Sequence, residues 1–79
     1  MINYREKIIE ILKKSNGLTF SSIEVELLRS LSESEKREYR FDKFFVAIYD
    51  LENDGIIFRG KGGEFEKGKF YLKLKNSNS

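Results

Sequence analysis

The stretch that most constrains this chain is residues 41–75, FDKFFVAIYDLENDGIIFRGKGGEFEKGKFYLKLK. Phe41, Phe44, Phe45, Ile48 and Leu51 recur at spacings of three and four, which predicts one buried stripe along a helix. Gly55 follows where a left-handed residue would stop that helix. Ile56-Ile57-Phe58 and Phe70-Tyr71-Leu72-Lys73-Leu74 are β-branched and aromatic runs and read as two strands. A charged segment containing Gly60, Gly62, Gly63 and Gly68 separates them. Whatever precedes residue 41 must therefore pack against a helix, a glycine stop and a basic hairpin.

Seventy-nine residues make one small domain, near the lower limit for a core that holds without staples. The expected domain is 1–75, followed by a tail, 76–79, with nothing to bury and expected to be disordered. The chain has no cysteine, so no disulfide or thiolate metal site supports it, which fits a reducing cytoplasm. It has no histidine either, which removes the commonest general base at neutral pH and the usual zinc ligand. The expectation is a protein that is not an enzyme, with no cofactor, no metal and no small-molecule substrate. No apolar run reaches membrane length, so the sequence predicts a soluble, cytoplasmic protein with no membrane partner.

The formal net charge of +2 hides an asymmetry. Arg59, Lys61, Lys67, Lys69, Lys73 and Lys75 face only Glu64 and Glu66 in the hairpin, giving +4 there and −2 elsewhere. A local patch of that sign suits a polyanion.

Residues 3–15 predict a first helix, with Asn3 as N-cap and Glu6 at capping-box spacing. Tyr4, Ile8, Ile11 and Leu12 share its face, and Asn16-Gly17 ends it. Ile9 either widens the buried face or, with Ile2, marks a partner surface. Leu18-Thr19-Phe20 reads as a short strand edge. Ser21 and Glu24 form a second capping box, Phe20 and Val25 a hydrophobic staple, and a helix starting at Ser22 buries Ile23, Leu27, Leu28 and Leu31. Residues 30–40 hold another cap, Ser32 with Glu35, and are either a short extra helix or an extended turn. In the hairpin, a two-residue turn at Gly62-Gly63 would set Lys61 opposite Glu64 and Arg59 opposite Glu66. A loose loop over 61–68 would leave the lysines free. In the last strand Phe70, Leu72 and Leu74 face the core, and Lys69, Tyr71, Lys73 and Lys75 face out.

The segment Leu51-Glu52-Asn53-Asp54-Gly55-Ile56-Ile57 resembles the exit from the recognition helix in the winged helix-turn-helix superfamily. The wing is also broadly similar to those of archaeal replication factors and of viral or plasmid winged helices. The resemblance implies an α+β fold of three helices, a small antiparallel β-sheet and one β-hairpin wing. It implies a transcriptional regulator holding double-stranded DNA, with the third helix in the major groove and the wing on the backbone. The DNA-binding residues it implies are Arg37, Arg40, Lys43, Arg59, Lys61, Lys67 and Lys69, with Ala47 facing the groove and allowing close approach. A homodimer would use the first helix, because no dimerisation helix follows the wing. The competing expectation is a protein-docking module in a larger assembly, suggested by Asp50, Glu52 and Asp54 on the helix meant to meet phosphate.

Overall fold

The chain begins with a capped helix. The Glu6 backbone N–H donates to the Asn3 Oδ1 (3.1 Å), opening α1, Tyr4–Lys13. The computed structural model describes residues 1–15, 17–61 and 70–74, with the backbone alone at 61, 70, 71 and 73. α2 spans Phe20–Ser30 and is capped by Thr19, whose Oγ1 accepts from the Ser22 N–H (3.2 Å). The cap thus falls two residues before the expected Ser21. Glu24 is left to serve a longer-range partner, and Val25 is half exposed rather than stapled.

The expected architecture of three helices with a β-hairpin wing is not what forms. Residues 30–40 contain a further helix, α3, Glu33–Glu38, opened by a complete capping box. The Glu35 N–H donates to the Ser32 Oγ (3.2 Å), and the Ser32 N–H donates to the Glu35 Oε1 (3.0 Å). This helix replaces the tight turn of a helix-turn-helix and leads into α4, Phe41–Asn53. The fold is therefore mainly helical, with four helices and two short strands, β1 (Ile57–Lys61) and β2 (Phe70–Leu74), among the described residues. These pair antiparallel with Arg59 opposite Leu72 and Lys61 opposite Phe70, a register incompatible with a two-residue turn at Gly62-Gly63. Residues 62–69, the expected wing, lie outside the described residues, as do Asn16 and the tail. The expected strand edge at Leu18 is one bridge: the Leu18 N–H donates to the Leu72 carbonyl (3.1 Å) and the Leu72 N–H to the Leu18 carbonyl (2.7 Å).

The core gathers one face from each long element. Ile8 and Leu12 of α1 meet Ile23 and Leu27 of α2, Phe44, Ile48 and Leu51 of α4, Ile57 of β1 and Leu72 of β2. Ile2 is buried in this core and Ile9 packs against it, so the widened-face reading of α1 holds and the Ile2/Ile9 partner surface does not. Among the described residues no helix is long and apolar enough to cross a membrane.

Polar contacts pin both ends of α4. At its start the Arg40 N–H donates to the Tyr4 hydroxyl (3.0 Å), standing in for the side-chain cap that Arg40 itself does not provide. Next to it, the Tyr39 hydroxyl donates to the Glu24 carboxylate, and the Tyr4 and Tyr39 rings lie 6.0 Å apart. At the far end Gly55, at φ 75°, donates to the Glu52 carbonyl, and Ile56 donates to that of Leu51, both at 3.0 Å. That pair of bonds is a Schellman closure, which requires a left-handed residue. Arg5 then reaches Asp54 at 3.0 Å.

Each end of α4 can be tested by one substitution. Gly55→Ala is expected to lower stability by about 1–2 kcal/mol in chemical denaturation, from backbone strain alone, because nothing lies within 4 Å of an added Cβ. At the other end, burial, then the hydrogen bond to Glu24, push the Tyr39 phenol well above its ordinary value of 10.0. The folded chain then keeps a proton that the unfolded chain releases. This contribution to stability is full below about pH 10 and falls as pH rises towards the folded value. Tyr39→Phe is expected to cost about 1 kcal/mol at neutral pH and to flatten the decline between about pH 10 and 12. An unchanged alkaline slope in that variant would refute the assignment.

Candidate docking face

α4 has more apolar surface than one core can cover. Phe44, Ala47, Ile48 and Leu51 are buried, which accounts for one side of the helix. Phe41, Phe45, Val46 and Tyr49 remain between 52% and 57% exposed. At about 100° per residue these four occupy a continuous band beside and opposite the buried stripe. The expectation that Phe41 and Phe45 are core is therefore corrected. Ala47 is corrected in the other direction, since at 6% exposure it lies under the helix and offers no approach to a groove.

Phe20, from the first turn of α2, organises the near edge of this band. Its ring lies 5.1 Å from the buried Phe44 and about as close to both exposed rings, 6.0 Å from Phe41 and 5.9 Å from Phe45. The edge-on geometry with Phe44 is the favourable one for aromatic pairs. Together Phe20, Phe41, Phe45, Ile48, Tyr49 and Leu72 line a shallow groove of about 230 Å³. Its end is closed by Glu52 and Arg59, which form a two-pronged ion pair with distances of 2.8 and 3.0 Å. The bond to Glu52 is the main cause raising the Arg59 guanidinium above its ordinary range, so its proton is held more tightly still.

The four expected DNA-binding residues whose side chains are described, Arg37, Arg40, Lys43 and Arg59, do not converge on one surface. Arg59 borders the aromatic groove on one flank of α4. Lys43 lies on the other flank, beside Val46, Asp50 and the first residues of the chain. Arg40 makes two hydrogen bonds to Asp42, both 3.1 Å, and these are the largest cause holding the Asp42 carboxyl below its usual range. Arg37 is exposed on α3. The Lys61 side chain, Lys67 and Lys69 lie outside what is described. Two of the expected phosphate ligands thus have carboxylate partners, and the remaining described two sit on different elements.

Sequence reasoning missed Phe20, Val46 and Tyr49. A usable signal was present: Phe41, Phe45 and Tyr49 repeat at four-residue intervals beside the complete core repeat Phe44, Ala47, Ile48, Leu51. Two full apolar stripes on one 13-residue helix exceed a single buried face. Among the described residues no group of three His, Cys, Asp or Glu side chains is placed to hold a metal ion. What the fold and this face define is a small, mainly helical domain carrying an uncovered aromatic helix side. No family model, curated protein or solved structure matches the chain.

Proposed function

We propose that this chain is a protein-docking module and that the exposed side of α4, with Phe20, is its docking surface. The observation that carries this reading is the exposure of three aromatic side chains and one valine on a single helix. A helix whose apolar residues extend well beyond its core-facing stripe has more apolar surface than its own core covers. A rim of polar residues around exposed aromatics is the usual anatomy of a recognition patch. The groove below Phe20 would take one apolar anchor of the partner, and the Glu52–Arg59 pair would supply polar contacts at its rim.

Duplex DNA is the second reading, favoured by exposed Arg37 and Lys43. Against it stand the carboxylate partners of Arg40 and Arg59 and the burial of Ala47. One pair of measurements separates the two. A photocrosslinking side chain in place of Phe45 is expected to form protein adducts in cells producing the chain, and one in place of Glu33 on α3 is not. Random duplex is expected to leave the anisotropy of the labelled chain unchanged at low salt. Duplex binding that falls steeply with salt, weakens on Arg37→Ala and Lys43→Ala, and comes without adducts at position 45 would replace the docking reading.

A further inference from the structure

We infer that the occupant of the α4 face is a second copy of this chain, its own α4 lying antiparallel across the first. This rests on the docking reading and adds the identity of the partner. α4 carries charges at the wrong ends, and two of them, Lys43 and Asp50, stand apart. Lys43 lies in its first turn and Asp50 in its last. A cation is disfavoured at a helix amino end and an anion at its carboxyl end. Neither has an ion-pair partner among the described residues, in contrast to Arg5, Arg40, Glu52 and Asp54. Both are exposed and border the same cleft.

Lys43 and Asp50 are seven residues apart, so they stand on one flank of the helix, on the same side of the seam formed by Phe45, Val46 and Tyr49. In an antiparallel pair related by a two-fold axis, like flanks face each other and the sequence runs in opposite directions. A register centred near Val46 therefore sets Lys43 of each copy against Asp50 of the other. The mismatch with each helix's own dipole is then relieved, because each amino end lies beside a carboxyl end. The same register places Tyr49 of one copy between Asp42 and Phe45 of the other and covers Val46 with its counterpart. In a parallel two-fold pair like flanks lie on opposite sides of the seam, so Lys43 and Asp50 of one copy would not meet those of the other. The charges select the antiparallel one.

Sedimentation equilibrium of the full chain tests this. The wild-type chain is expected to pass from monomer to dimer with rising concentration. Val46→Glu, an exposed seam position, is expected to remain monomeric with an unchanged circular dichroism spectrum. Lys43→Glu and Asp50→Lys are each expected to weaken the dimer about tenfold, since the two-fold axis turns two attractions into two repulsions in either variant. An equimolar mixture of these two variants is expected to restore association. In that heterodimer one chain carries carboxylates at both positions and the other carries ammonium groups at both, so each cross-helix pair is again attractive. A chain monomeric up to about 1 mM, or a dimer indifferent to Val46→Glu, would overturn the proposal, as would a mixture that associates no better than its components. Adducts at position 45 that contain a different protein, with no dimer in the purified chain, would overturn the second copy while leaving the docking reading intact.

Discussion

The rotation of α4 about its own axis goes with its packing against α1 and β1 and with polar contacts at its two ends. An amphipathic helix finds its orientation from its pattern, burying the apolar side and wetting the other. α4 cannot do so, because its apolar residues extend round much of its circumference. Two adjacent residues of α1 contact its two ends. Tyr4 takes the Arg40 N–H at one end and Arg5 takes Asp54 at the other. Tyr39, held by Glu24, fixes the corner from which the helix starts. With those contacts made, Phe44, Ile48 and Leu51 point into the core, and Phe45, Val46 and Tyr49 point out.

Local rules written in the sequence were followed where they stood without competition. The Asn3 cap, the Ser32–Glu35 box and the glycine stop at Gly55 are each satisfied within a few residues of chain, and each was legible. Where two local solutions competed, tertiary contacts chose. Ser21 with Glu24 is a sound capping box, but Thr19 takes the cap, and Glu24 accepts a hydrogen bond from Tyr39, fifteen residues away. The choice between Phe41/Phe45 and Ala47 as the core side had the same origin. Both stripes obey helical periodicity, and only tertiary contacts, from α1, α2 and the strands, decide between them. The hairpin register lay beyond turn chemistry for a similar reason, because the bridge from Leu18 to Leu72 ties the second strand to the segment before α2.

Charge read along the sequence differs here from charge arranged in space. Arg59 looked like part of a wing because it follows Gly55 among lysines, yet it folds back seven residues onto Glu52. Arg40 looked like a phosphate ligand at a helix start, yet its guanidinium lies against Asp42, two residues on. Exposed pairs of this kind contribute little to stability. Their effect here is on the field: each cancels a charge that a polyanion would need, and what survives of the expected ligands among the described side chains, Arg37 and Lys43, sits on two different helices.

A chain this short also has a limit on how much it can cover. Its core draws on every long element, and burying the second stripe of α4 as well would need another layer of structure against it. Among the described residues no such layer exists. Replacing the outer aromatics by polar residues would have removed the problem at no cost to the core, since Phe45, Val46 and Tyr49 are not part of it. Their presence is thus not accounted for by packing among the described residues, and the proposed association would account for it. The uncompensated charges of Lys43 and Asp50 have the same status, being slightly unfavourable in the isolated helix and complementary across a pair. Two features that each weaken the monomer, lying on one helix and relieved by one arrangement, make a stronger case for a partner than either an apolar patch or a charge pattern alone.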